Sequence, residues 1–204
     1  MTLASCDSRK TAGENPFFTE WDTPHGVPPF DKILPEHFMP AFERGMSLHE
    51  AEIDAITSNK DEATFENTIL AYDNAGQMLA QTELVFGMLC AAETNDRMQA
   101  LQEQAMPLLA AHRDKIRLDD KLFVRVKEVY DRRAALGLDA EQMRLLQKTY
   151  DSFVRAGALL DAEQKARLKE INGQLSLTAV KFGNNILAEN NNFVLELKSD
   201  ELDG

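Results

Sequence analysis

The stretch PEHFMPAFERGMSLHEAEIDAIT, Pro35–Thr57, carries the pattern that decides the fold. Apolar side chains recur in it at spacings of three, four and seven residues, which is the period of one face of an α-helix. Pro40 falls near the first turn, where a helix tolerates the missing N–H. The pattern predicts a helix over 36–57 whose inward face carries Phe38, Phe42, His49, Ile53 and Ile56.

The same period continues to about residue 187 and predicts an all-α fold, a bundle of about six helices. Side chains that accept N-terminal N–H groups and glycines that end helices mark the boundaries. Further helices are expected over 65–92 after Thr64, from Asn95 or Asp96 to Leu118, from Asp119 or Asp120 to Gly137, from Asp139 to near Gly157, and over 161–187. The segment LVFGMLCAA, Leu84–Ala92, is apolar on nearly every side, which predicts that the second helix is the most buried.

The two ends of the helical region differ from it in pattern. Six of the seven prolines fall within residues 16–40, together with several aromatic residues, so 15–35 is expected to be an extended segment that lies on the protein surface. Near the other end, Phe193–Leu197 alternates apolar and polar residues, which predicts a short strand within 188–204. A lone strand has no partner, so it either pairs with sequence beyond Gly204 or is disordered.

Composition excludes several classes of protein. The chain has 204 residues, 44% of them hydrophobic, which suffices for a globular core. No run approaches the roughly eighteen apolar residues of a membrane span. The 34 acidic and 22 basic residues give a net charge of -12, which repels phosphate backbones, so no nucleic-acid partner is expected.

The two cysteines differ in their surroundings. Cys90 lies in an apolar run and is expected to be a buried, inert thiol. Cys6 ends LASC, which resembles the lipobox of a bacterial lipoprotein, yet only two residues precede that motif, far fewer than a signal peptide needs. Either the match is chance, or Met1 is internal and the signal has been cut off. If Cys6 is acylated, residues 1–14 are a disordered membrane tether and the protein lies in the cell envelope or periplasm; otherwise it is cytoplasmic.

The pair His49-Glu50 invites comparison with the zinc motif HExxH, in which two histidines four residues apart reach one metal ion. Here the fifth position is Ile53, which cannot ligate a metal. No two of the four histidines are spaced four apart, and no nucleophile elbow, phosphate-binding loop or CxxC pair is present. The sequence therefore predicts no catalytic or metal residues in this chain. It predicts that His49 and His112 are hydrogen-bonded and partly buried, and it does not assign substrate-contact residues.

Several segments carry a family resemblance. They are NPFF, PPFDKILPEHFMPAFERGM, TFENTILAYDNAG, LGLDAEQMRLL, FVRAGALLDAEQKARLKEINGQLSLTAVKFGNNIL and SDELDG. Over 15–204 the chain resembles the N-terminal half of thimet-oligopeptidase-like zinc peptidases, which include bacterial peptidyl-dipeptidases and oligopeptidase A.

The resemblance implies a larger, two-lobed helical peptidase with a deep channel. Its zinc, its HExxH helix and a further glutamate ligand would lie in the second half, and none would be bound by this chain. Residues 36–187 would form a channel wall, and 188–204 would lead to the catalytic half of the same polypeptide. Short unstructured peptides would be the substrates, with release of C-terminal dipeptides. The alternative is a stand-alone helical binding or scaffold protein without catalytic activity.

Overall fold

The computed structural model describes residues 15–196, and their fold is all-α, as the sequence predicts. Residues 1–14, including Cys6, and residues 197–204 lie outside the described part. Six long helices follow one another: α1 Phe38–Ser58, α2 Gln77–Ala92, α3 Asp96–Arg117, α4 Asp120–Asp131, α5 Ala140–Arg155 and α6 Ala162–Asn192. Among residues 15–196, no helix combines the length and the hydropathy that a membrane span requires.

Side-chain caps begin four of these helices at the predicted places. At the start of α6, Asp161 accepts the backbone N–H of Gln164, and the Gln164 side chain accepts the N–H of Asp161 in return. This reciprocal arrangement satisfies two backbone donors that a helix start otherwise leaves open. The residues that cap α3, α4, α5 and α6 are Asn95, Asp119, Asp139 and Asp161.

The helices enclose two hydrophobic cores. The first lies between the beginning of α1, α2 and the beginning of α3, and its centre is the aromatic cluster of Phe38, Phe42 and Phe86. The segment 15–35 covers this core with Phe17 and Ile33, and it contains two short 3-10 turns, Pro16–Phe18 and Pro24–Gly26, so it is not extended throughout. The second core lies between the end of α1, the segment after it, α4 and α5.

α1 and α3 run through both cores. Buried residues up to Phe42 of α1 and up to Leu109 of α3 contribute to the first core, whereas Ile53 of α1 and Ile116 of α3 belong to the second. Close contact between α1 and α2 depends on Gly45, because a β-carbon at that position would lie 3.0 Å from the Cα of Leu79.

The prediction of one continuous helix over 65–92 is wrong. A π-helical turn Phe65–Leu70 continues as Ala71–Asp73, and the chain then bends before α2. Gly76 takes a left-handed conformation there, with φ of 76°, and donates its N–H to the Glu52 carboxylate at 2.7 Å. A β-carbon at Gly76 would lie 3.0 Å from the His49 ring. The backbone angle and the close approach both require glycine.

The prediction that the second helix is the most buried is also wrong. Val85 and Phe86 are buried, but Leu84 is 66% exposed and Met88 is 48% exposed. α2 packs against α1 along one side, and no described element covers the opposite side. α2 therefore exposes large apolar side chains that none of the described residues covers.

Three predicted ends differ from the structure. α4 ends at Asp131, and a short 3-10 turn, Arg133–Ala135, precedes the left-handed Gly137. α6 continues to Asn192, five residues beyond the predicted end. The predicted strand does not form over 193–196, where the side chains are exposed and no described strand is available to pair with them. Leu197, the last residue of that prediction, lies outside the described residues.

Substituting Gly45 by alanine should destabilise the protein by about 1–3 kcal/mol, because the new methyl group would meet the α2 backbone, which cannot yield as a side chain would. Gly87→Ala is the matched control. Gly87 also lies in a helix, but a β-carbon added there would have no other atom within 4 Å, so alanine should stabilise by about 1 kcal/mol. Urea unfolding of both variants measures the two effects, and equal shifts for the two would contradict the role given to Gly45.

Candidate functional site

Two histidines meet where α1 crosses α3, between the two hydrophobic cores. Nδ1 of His49 and Nε2 of His112 lie 3.0 Å apart, a hydrogen-bond distance. His112 is buried, with 5% of its surface exposed, and His49 is half-buried. The sequence-based interpretation of both residues as hydrogen-bonded and partly buried is confirmed.

Charged side chains surround the pair. Glu50 Oε1 lies 3.5 Å from Nδ1 of His112, an ion-pair distance too long for a well-formed hydrogen bond, while Glu50 Oε2 accepts from Lys115 at 2.7 Å. A proton on Nδ1 of His112 faces this carboxylate, and Nε2 is then free to accept from His49 Nδ1–H. We therefore assign both histidines the Nδ1-protonated form, since the reverse would direct a lone pair of His112 at Glu50.

Burial sets the protonation of these groups. It lowers the pKa of His112, and it also lowers the pKa of His49, on which the nearby His112 acts in the same direction. The pKa of Glu50 is lowered mainly by its hydrogen bond from Lys115. At neutral pH the site therefore holds two neutral imidazoles beside a charged carboxylate.

This arrangement does not fit a zinc ion. The two histidines direct nitrogens at each other, but Glu50 approaches the opposite nitrogen of His112, so the three groups do not converge on one point. Ile53, at the second histidine position of the zinc motif, is buried in the second core. Residues 15–196 contain no group of three or more side chains of the metal-ligating types that could hold a metal ion.

The histidine pair should make stability depend on pH. Because the folded state lowers both pKa values, the unfolded chain binds more protons, so the free energy of unfolding should fall as pH drops from about 7 to 5.5. Glu52 and Glu83 also face the pair and oppose this effect in part. Denaturant unfolding across this pH range measures the slope.

A variant with glutamine at both His49 and His112 should show a shallower slope than the unaltered chain. His25→Gln, at an exposed position away from the pair, is the control and should keep the slope of the unaltered chain. If the double substitution left the slope unchanged, the pair would not be the group that titrates.

A stripe of apolar side chains is exposed along α6. Leu175 is 61% exposed and Phe182 is 65% exposed, and the stripe continues through Ile171 and Ile186. Lys165 is the one residue of this 31-residue helix that is buried among the described residues. Large apolar side chains in a row on one face are typical of a surface that another part of a protein covers.

A groove along the contact between α3 and α6 was not predicted from the sequence. Two adjoining hollows form it and share Arg113, Ser176 and Ala179. Arg117 of α3 and Arg155 at the end of α5 line the same hollow as Arg113. In the sequence, two arginines four residues apart on α3 were the available signal, but the third lies 38 residues further along the chain.

Cys90 lines the other hollow of this groove. It is half-buried rather than fully buried, and burial raises the pKa of its thiol to about 11. The thiol is therefore protonated at neutral pH, which agrees with the expectation of an inert cysteine.

Comparison with known proteins gives several relatives, all of them peptidases by name. Over 176 residues, or 86% of this chain, it is 41% identical to the dipeptidyl carboxypeptidase of Escherichia coli K12. It is 38% identical to the dipeptidyl carboxypeptidase of Salmonella typhimurium LT2 over 85% of the chain. Oligopeptidase A of Escherichia coli is 24% identical over 81% of the chain. No family model matches the chain.

The chain is therefore homologous to dipeptidyl carboxypeptidases and, more distantly, to oligopeptidase A and a thimet-like oligopeptidase, which confirms the resemblance found in the sequence. It is homologous to the N-terminal region of the dipeptidyl carboxypeptidases. The chain spans about a quarter of the length of these relatives, since the match covers 26% of each dipeptidyl carboxypeptidase.

Proposed function

We propose that this chain is the substrate-channel wall of a zinc metallopeptidase that hydrolyses short peptides and releases C-terminal dipeptides. The observation that carries the proposal is the 41% identity over 86% of the chain to a dipeptidyl carboxypeptidase about four times longer than the matched region. The zinc ion and its ligands would lie in the remainder of the polypeptide, the partner of this chain.

The surface of α6 supports the assignment of the channel wall to this chain and of the zinc site to the remainder of the polypeptide. The exposed stripe of Ile171, Leu175, Phe182 and Ile186 would be covered by the catalytic part, because apolar area in contact with water costs about 25 cal/mol per Å². The helices beneath it are held by two packed cores and side-chain caps, which gives a rigid wall. A rigid, narrow cleft admits unfolded peptides and excludes folded proteins.

The described residues supply structure to this enzyme rather than metal ligands. Zinc would activate water and polarise the peptide carbonyl when bound. His49, which the comparison with the zinc motif singles out, is hydrogen-bonded to His112 within this chain. The alternative function, a stand-alone helical scaffold, also agrees with this geometry, and the two differ in whether the gene continues past Gly204 into a catalytic part.

The full-length protein decides between them. If the reading frame continues into an HExxH helix, the full-length protein should bind zinc stoichiometrically and hydrolyse short peptides, lose this activity with a chelator and regain it when zinc is restored. The 204-residue chain alone should do neither. Stoichiometric zinc with hydrolysis by the 204-residue chain would overturn the proposal, and a stop codon after Gly204 would favour the scaffold.

His49→Ala in the full-length protein is the structural control. We expect it to lower stability by about 1–3 kcal/mol, because it removes packing and leaves His112 without its buried partner, while zinc content stays unchanged. Loss of zinc with an intact fold would show that His49 is a ligand after all.

Lipid attachment at Cys6 is a separate proposal about location. Its support is the LASC sequence alone. Mass spectrometry of the protein from its native cells should find an acylated N-terminal cysteine, whereas an unmodified N-terminus upstream of Cys6 would exclude the anchor.

A further inference from the structure

Two tyrosine rings lie face to face where α4 packs against α5. The ring centroids of Tyr130 and Tyr150 are 3.8 Å apart, and the ring planes differ by 3°. Both side chains are half-buried against the second core, so each has ordered neighbours on one side and solvent on the other. Aromatic pairs usually prefer an offset or edge-to-face arrangement with centroids about 4.5–7 Å apart, because the electron-rich faces of two rings repel each other. The parallel stack therefore needs contacts that hold it in place.

Arg133 holds the Tyr130 ring from the side opposite to Tyr150. Its guanidinium carbon lies 4.1 Å from the Tyr130 ring centroid, and because Tyr150 occupies one face of that ring, Arg133 lies over the other. Arg133 also donates to the Tyr130 carbonyl at 2.8 Å. A cation on the far face is attracted to the ring and draws its electrons away from Tyr150, which weakens the repulsion between the stacked rings.

Hydrogen bonds hold the edge of the Tyr130 ring. Its hydroxyl donates to Gln147 Oε1 at 3.1 Å, and Nε2 of the same amide donates to Asp151 at 2.9 Å. Gln147 and Asp151 lie on α5 with Tyr150, so the hydroxyl of one ring is bound to the helix that carries the other ring. Tyr150 in turn stacks on the buried ring of Phe123, with centroids 5.9 Å apart. The two phenols are thus held against each other from several sides.

A pair of phenols held in this way is arranged for radical coupling. Loss of one electron and of the hydroxyl proton turns a tyrosine into a phenoxyl radical, whose unpaired spin lies on the oxygen and on the ring carbons beside it, the Cε atoms. Two such radicals combine by forming a Cε–Cε bond. In solution the radicals must first meet by diffusion, whereas these rings are already in contact when the radicals form. The solvent side of the half-buried rings leaves room for them to turn about the new bond.

We propose that Tyr130 and Tyr150 are an oxidative modification site, at which a one-electron oxidant joins the two rings as dityrosine. Two oxidant molecules each take one electron, and the two hydroxyl protons pass to water. After the Cε–Cε bond forms, each bonded carbon gives up its hydrogen and each oxygen regains one, so the product is the pair less two hydrogens. The bond ties α4 to α5 and closes a loop of about 20 residues, which restricts the unfolded chain as a disulfide does.

Photo-oxidation of the 204-residue chain provides the test. The chain, at low concentration, is irradiated briefly with tris(bipyridyl)ruthenium(II) and persulfate, which generate the ruthenium(III) complex, a small one-electron oxidant. Dityrosine is measured by its fluorescence and located by trypsin digestion and mass spectrometry. Trypsin releases Tyr130 in EVYDR, residues 128–132, and Tyr150 in TYDSFVR, residues 149–155. We expect these two peptides as one linked product, lighter than their sum by two hydrogens, from protein that runs as a monomer on a denaturing gel.

Phenylalanine variants separate the pair from the third tyrosine of the chain. Tyr130→Phe and Tyr150→Phe each keep the ring but remove the phenol, so each should abolish the linked product. Tyr72→Phe is the matched control and should leave the yield unchanged. Tyr72 packs against Phe153 in the same core, and burial raises the pKa of its phenol, which opposes loss of the proton. Circular dichroism checks that each variant is folded, and if one is not, the linked peptides of the unaltered chain decide.

The same chain unfolded in urea shows whether the folded contact is responsible. Without that contact the three tyrosines of the chain meet at random. The yield of the linked product per oxidised tyrosine should therefore fall by about tenfold or more, and links to Tyr72 should appear.

A linked product found only between chains would overturn the proposal, as would links to Tyr72 in the folded chain. Equal yields from Tyr72→Phe and Tyr130→Phe, or from folded and unfolded chain, would do the same. Absence of dityrosine would overturn it as well. None of these measurements involves zinc or peptide hydrolysis, so failure here leaves the proposed metallopeptidase untouched.

Discussion

The hydrogen bond between His49 and His112 joins the two helices that run through both hydrophobic cores. Polar groups at such a place are costly unless they are paired, because burial removes water from them. Here Nδ1 of His49 and Nε2 of His112 satisfy each other, and Gly76 allows the chain to bend against the His49 ring. One contact therefore fixes the crossing of α1 and α3 and the position of the bend that precedes α2.

A second polar contact fixes the other core. Arg125 of α4 is buried and donates to the backbone carbonyls of Asn59 and Asp61 and to the Asn67 side chain, at 3.0–3.2 Å. Asn67 in turn accepts from the Thr64 N–H at 2.8 Å. A buried guanidinium with several acceptors holds an irregular segment in one conformation, since each bond lost would leave a buried group unsatisfied. The hydrogen bonds of Arg125 and Asn67 therefore fix the path of the chain after α1.

The sequence was sufficient for features that depend on neighbouring residues. Asp161 with Gln164 begins α6 as predicted because a capping box is a local contact, and Ile53 excluded the zinc motif because ligand chemistry is local too. The bend at Gly76 was missed because its causes, His49 and Glu52, lie on another helix. The strand at 193–196 failed for the same reason, since a strand depends on a partner. The hollow lined by Arg113, Arg117 and Arg155 lies between α3 and the end of α5, and helical periodicity does not reveal that these two elements are close together.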